Sequence, residues 1–205
     1  VELTGAPSDE IESLMRQSLD IFRRQEDGAQ SLAFLRRRLS GDEPTAQQIL
    51  RSFGYFNGGL AYDVQEIEVP DGEPRRARVD ITVEPGPPFI LTRHDFVITE
   101  DGGTPVTLAS AATLGSPVGE PAVAQTILDA ETRAVARLTH RGRPYARRTG
   151  REAVADLELA QIEIDTGISA GPEYGMQAPQ FEGLDDVEAD YLRTYLNWEA
   201  GQIFD

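Results

Sequence analysis

The chain contains no cysteine, so it can form no disulfide, thiolate metal site or cysteine nucleophile. That absence fits any compartment and mildly favours an envelope protein that avoids stray oxidation. Histidine is scarce too, with only His94 and His140 present, which leaves little for general base chemistry near neutral pH. Cations are outnumbered: 19 Lys and Arg face 35 Asp and Glu, for a formal net charge of −16. This balance argues against a binder of nucleic-acid phosphates, which needs clustered cations. It also argues against attraction to an anionic lipid surface. Long apolar runs are missing. The longest uncharged stretch, Gly102 to Gly119, is largely Gly, Pro, Thr, Ser and Ala, whereas a membrane span needs about 20 mostly apolar residues. The chain starts on Val1 with no initiator methionine. It reads as a piece of something longer, so targeting is not legible from it.

What is present is ordinary globular composition, 40% hydrophobic and 26% charged over 205 residues, long enough for one or two domains. An internal repeat of about 85 residues organises it. Gly86-Pro87-Pro88-Phe89 recurs as Gly171-Pro172-Glu173-Tyr174, and Phe96 recurs as Phe181. Gly115-Ser116-Pro117-Val118 aligns with Gly201-Gln202-Ile203-Phe204, and Gly54-Tyr55-Phe56 more loosely with Gly142-Arg143-Pro144-Tyr145. The repeats predicted from this are 1–88, 89–173 and an incomplete third, 174–205. Short Gly-Pro joints, stiff because proline fixes φ and restrains its predecessor, separate them.

Within repeat one the pattern predicts a strand over Val1–Thr4 and a turn at Gly5–Ser8. A helix follows, opened by the capping-box spacing of Asp9 and Glu12 and carrying Ile11, Leu14, Met15, Leu19 and Phe22 on one face. A second helix uses Leu32, Leu35 and Leu39. Gly41 and Pro44 are expected to interrupt it, with Pro44 restarting a helix through Leu50 and Gly54 ending that helix. Leu60, Tyr62 and Val64 alternate, then Ile67 and Val69 alternate out of phase, which suggests a bulge. Pro70 to Pro74 is a turn before a return strand with Val79, Ile81 and Val83. Repeat two has the same order: a strand ending at Val97 and Ile98, a weakly marked helix within Leu108–Leu114, and a long helix opened by Pro121 and ended by Gly142. Strands over Ala146–Leu159 and Ile162–Ile168 complete it. The expected class is α+β, in β-α-α-β-β modules whose helices cover one face of a three-stranded mixed sheet and leave an edge strand unpaired.

This order of elements, the Gly-Tyr-Phe after the second helix and the Gly-Pro pair after the last strand resemble POTRA domains. More narrowly, Gly54-Tyr55-Phe56, Val83-Glu84-Pro85-Gly86-Pro87, Gly142 to Tyr145, Tyr174-Gly175 with Phe181-Glu182-Gly183, and Gly201-Gln202-Ile203-Phe204 resemble the periplasmic part of the TamA family of the barrel-assembly superfamily. Arg143-Pro144 departs from that family's usual Gly-Tyr pair. The resemblance implies a periplasmic, non-enzymatic portion of a bacterial outer-membrane protein with three such domains ahead of its own C-terminal β-barrel. It implies docking to an inner-membrane-anchored TamB-like partner. It also implies handling of unfolded outer-membrane or autotransporter polypeptides, with no cofactor, metal or nucleic acid. An unpaired edge can receive an extended client by β-augmentation. The candidate edge is Leu60, Ala61, Tyr62, Asp63, Val64 and Gln65 in repeat one, and roughly Ala146 to Val154 in repeat two. Alternatives are another barrel-assembly or two-partner-secretion protein, a division-type scaffold, or an envelope hydrolase or cell-wall-binding protein.

The hydrolase alternative finds no constellation. His94-Asp95 could be half of a nucleophile-activating pair, but no Gly-x-Ser-x-Gly elbow occurs, and both histidines read as solvated structural residues. Asp185-Asp186 read as first-turn carboxylates of a helix over Val187–Leu196 rather than a cation site. Gly102-Gly103 lacks the Lys-Ser/Thr of a phosphate loop. Arg36 to Arg38, Arg75-Arg76 and Arg147-Arg148 read as solvated faces. Tyr191, Tyr195 and Trp198 share a helical face and read as the core side of a third repeat, a face that a neighbouring chain or further sequence should cover.

Overall fold

A computed structural model describes residues 1–27, 31–70, 76–100, 105–183 and 188–204. The elements are β1 (Glu2–Thr4), α1 (Asp9–Ser18), α2 (Asp20–Arg23), α3 (Leu32–Ser52), β2 (Gly59–Ile67), β3 (Arg76–Glu84), β4 (Ile90–Thr99), α4 (Ala124–Thr139), β5 (Arg147–Asp156), β6 (Gln161–Ser169) and α5 (Ala189–Arg193). The fold is α+β with two three-stranded sheets, ordered β1-β3-β2 and β4-β6-β5. The chain divides into two compact units. One is Val1–Thr92 with Gly119–Thr126 and Ala155–Ile162; the other is Arg93–Val118 with Ile127–Val154 and Glu163–Asp205.

In the first unit β1 lies parallel to β3 and β2 antiparallel to it. Val79, Ile81 and Val83 alternate inward from β3 and pack with Leu3, Ile11, Met15, Leu39 and Leu50. Helix α1 is capped by Ser8, whose Oγ accepts from Ile11 N at 3.3 Å, one residue earlier than the expected Asp9. It stops at Ser18, because Leu19 is extended (ψ 133°), so Leu19 and Phe22 do not continue one helix. The cause lies on α3. The carboxylate of Asp42, only 5% exposed, accepts from Asp20 N and Ile21 N at 2.8 Å each and starts α2 as an N-cap contributed from a distant segment. Asp42→Ala strands both donors. With charge-assisted bonds contributing about 1.5–3 kcal/mol each, the substitution should cost about 3 kcal/mol in urea unfolding, and Asp42→Asn less.

Two further expectations fail here. Helix α3 runs unbroken through Gly41 and Pro44. Pro44 forfeits its bond to the Ser40 carbonyl, a defect of roughly 3 kcal/mol, but burial of Leu39, Asp42, Ala46, Ile49 and Leu50 holds both halves to one line. The bulge is also absent: β2 and β3 keep a continuous register from Gly59↔Glu84 to Ile67↔Arg76, and Ile67 is exposed. In the turn expected at Pro70 to Pro74, Asp71 to Pro74 lie outside the described residues.

In the second unit the core joins Leu114, Ala130, Ala134, Leu138, Ile168 and Ala170. Helix α4 begins at Ala124, not Pro121; Pro121 instead forms an antiparallel bridge with Ile90. Leu108–Leu114 is not helical. Turns span Ala111–Gly115, where Leu114 bonds back to Ser110 and Ala111 and its own carbonyl accepts from Arg133 Nη1 at 2.7 Å. The left-handed Gly115 (φ +91°) closes this turn.

Each unit contains a corresponding set of backbone bonds. In the first unit Phe89 N donates to Gly54 O (2.8 Å), Ala122 N to Phe89 O (2.9 Å), Leu91 N to Glu120 O (2.9 Å) and Gly119 N to Leu91 O (2.8 Å). In the second unit Tyr174 N donates to Gly142 O (2.7 Å), Phe204 N to Tyr174 O (3.1 Å), Met176 N to Gln202 O (2.7 Å) and Gly201 N to Met176 O (2.8 Å). The bridge Gly175↔Ile203 matches Ile90↔Pro121. Gly54 and Gly142 sit at φ +91° and +81°, a region that favours glycine. A Cβ on Gly142 would stand 3.0 Å from the Tyr174 carbonyl. These bonds set Gly119, rather than Gly115, opposite Gly201. Both glycines have positive φ, so residue type alone did not separate them.

Candidate functional site

The candidate edge in the first unit is the outer rim of β2. Among the described residues β2 pairs with β3 alone. An antiparallel ladder uses the N–H and C=O groups of alternate residues, so the remaining residues of β2 direct theirs away from β3. Val64 is buried and Leu60 half-buried against the core, which anchors the strand. Ala61, Tyr62, Asp63 and Gln65 are exposed. The Tyr62 hydroxyl lies 3.1 Å from Ser40 Oγ, and Gln65 Nε2 donates to Asp63 Oδ2 at 2.6 Å. The rim thus combines unpaired backbone, an aromatic ring and the carboxylates of Asp63 and Glu66. Its counterpart, β5, is the terminal strand of the other sheet, and all its residues are exposed. It begins at Arg147, one residue inside the expected range.

Sequence reasoning missed the polar cluster at the centre of the second unit. His94 is 4% exposed, not solvated. Its Nδ1 lies 2.9 Å from Ser116 Oγ and its Nε2 3.1 Å from Thr166 Oγ1. The Thr166 hydroxyl donates its single hydrogen to Glu131 Oε1 at 2.8 Å. It must therefore accept from His94 Nε2–H, which leaves Nδ1 to accept from Ser116. Glu131 is gripped by Arg151 through Nε and Nη2 at 2.6 Å each, with Arg148 Nε at 3.6 Å. A signal existed in the alternation of Ile162, Ile164, Thr166 and Ile168, which places Thr166 inward. A threonine facing a core needs a partner.

Burial pushes the His94 pKa below its ordinary 6.5, against the attraction of Glu131. Burial pushes Glu131 up. The hydrogen bonds from Arg151 and Thr166, with the charges of Arg151 and Arg148, more than offset this, and the carboxyl ends below its ordinary 4.5. Both shifts mean that the unfolded chain binds more protons than the folded one, so stability falls on acidification. The His94 contribution is lost from about pH 7 downward through its depressed pKa, and that of Glu131 below about pH 4.5. Urea midpoints for wild type and His94→Gln should converge between pH 7.5 and about 5.5, because only the wild type loses this contribution.

The pair Ser116–His94 resembles a nucleophile with its base, but Ser116 is fully buried. A 400 Å³ cavity beside His94 is lined in part by Phe96, Ile98, Val106 and Leu108. His140 is exposed just past α4. Asp185-Asp186 lie outside the described residues, and among those described no cluster of three or more His, Asp or Glu could hold a metal ion. Arg93 pairs with Asp95 (3.1 Å), Glu163 (3.0 Å) and Asp165, an exposed lattice of charges across β4 and β6. Arg143, the departure after Gly142, is fully buried, and its Nη1 donates to Gly171 O at 2.6 Å. Tyr191 and Tyr195 are exposed, with rings edge-to-face at 5.2 Å, and the helix there is only Ala189–Arg193.

No family model matches the chain, and no curated protein sequence does. Similar solved structures exist. Haemophilus influenzae BamA POTRA3-5 is 20% identical, covering 100% of this chain and 78% of that one, at a TM-score of 0.44. POTRA1-2 of the periplasmic domain of Omp85 from Anabaena is 15% identical, covering 84% and 95%, at 0.41. The N-terminal domain of Omp85 from Thermosynechococcus elongatus is 15% identical, covering 100% and 77%, at 0.39.

Proposed function

We propose that the chain is a periplasmic polypeptide-binding and docking array of POTRA-type modules, with boundaries at 1–88, 89–173 and 174–205, belonging to an outer-membrane assembly factor. Within that class we assign it to the TamA type, which docks a TamB-like inner-membrane-anchored partner and passes autotransporter and other outer-membrane polypeptides to a β-barrel. It works as a scaffold, not an enzyme. The observation that carries this is the rim of β2, Leu60 to Gln65, unpaired among the described residues, on a strand whose inner side is locked into a continuous ladder. Main-chain pairing along such a rim is largely indifferent to sequence, which suits a receptor for many clients.

The test is site-specific crosslinking. Because the chain has no cysteine, Ala61→Cys carries a single thiol-reactive photoprobe. An unfolded outer-membrane barrel precursor should give an adduct at position 61 and none at the exposed control Arg37→Cys on α3. Equal adducts at both positions, or none at 61, would remove the edge mechanism.

A further inference from the structure

We propose that β5 docks an extended polypeptide segment rich in acidic residues, with Arg147, Arg148 and Arg151 as its selectivity determinants. The inference rests on the edge-binding reading and specifies the partner of the second edge. β5 ends its sheet, so one ladder of backbone groups is unpaired among the described residues, and every residue of the strand is exposed. On β2, by contrast, Val64 is buried. Three arginines fall within five residues on a chain of net charge −16. Arg148 and Arg151 share the single carboxylate of Glu131, so the group keeps a net positive charge. The Arg148 side chain is 46% exposed, and Arg147 forms no ion pair with a described residue. Of the acids of this strand, Glu152 follows Arg151 directly and Asp156 closes the far end.

Charge decides the occupant. An acidic segment is repelled by most of this surface, including the β2 rim with Asp63 and Glu66, and meets reversed sign at Arg147 to Arg151. An acidic background with one basic edge therefore discriminates twice, by attraction there and repulsion elsewhere. Opposite charges directly across two strands are favourable and like charges unfavourable.

The experiment uses the whole chain and fluorescent peptides of about eight residues, an ordinary strand length, alternating Thr or Val with Glu, Lys or Gln. Anisotropy should show the Glu peptide binding about tenfold tighter than the Gln peptide, as two or three cross-strand charge pairs would give, with the Lys peptide weakest. Arg147→Glu, at an exposed position, should abolish the preference for the Glu peptide without changing the melting temperature, and Asp63→Arg should leave that preference unchanged. Indifference to peptide charge, no binding, or an effect of Asp63→Arg in place of Arg147→Glu overturns the proposal. So does light scattering that shows self-association through β5, abolished by Arg147→Glu, with no peptide bound, because the occupant is then a second copy. A charge-blind β5 with an intact adduct at position 61 removes only this inference. A charge-selective β5 with no adduct there removes only the β2 reading.

Discussion

Glu131→Ala is expected to lower the stability of the unit containing α4 by about 3–5 kcal/mol, the usual consequence of removing one partner of a buried ion pair. Glu131 is 3% exposed, and its two oxygens take both Arg151 bonds and the Thr166 hydroxyl. Alanine leaves that hydroxyl and the Arg151 guanidinium without an acceptor, and frees Thr166 to turn from His94. Arg151 keeps 28% side-chain exposure, so partial solvation holds the loss toward the lower figure. Urea unfolding followed by far-UV circular dichroism reads the effect, and amide exchange in α4 localises it. The double variant Glu131→Ala/Arg151→Ala should be less destabilised than the sum of the single changes. Strict additivity would show that the pair does not act as a unit.

Phe89→Ala should cost a similar amount, about 3–5 kcal/mol. Phe89 is fully buried, its ring lies 5.0 Å from that of Phe56, and its backbone is bonded to Gly54 and Ala122. Its counterpart Tyr174 makes the same backbone bonds but is 43% exposed. Tyr174→Ala should therefore cost distinctly less, about 1–2 kcal/mol, because less apolar area is returned to water. Equal costs at the two positions would mean that side-chain burial is not what separates them.

Local pattern was legible where the cause was local. The inward alternation of Val79, Ile81 and Val83 and the helical spacing of Ile11 and Met15 appeared as read, because period alone decides which side faces the core. A hairpin strand followed by its return strand suggested a rim at Leu60 to Gln65. Misreadings came from partners far along the chain. The break after Ser18 depends on Asp42, the continuity of α3 through Pro44 depends on core packing on both sides, and the burial of His94 depends on Thr166 and Ser116. Glycine spacing did not fix which residue stands opposite Gly201, since Gly115 and Gly119 are conformationally alike and only the bond from Gly119 to Leu91 distinguishes them.

Backbone amide exchange on the whole chain, with and without an unfolded barrel precursor, tests edge docking most directly. Precursor should slow exchange at alternate amides of Gly59–Ile67, those directed away from β3, while the amides of α1 and α3 stay unchanged. Slowing confined to the helices, or none along β2, would contradict it.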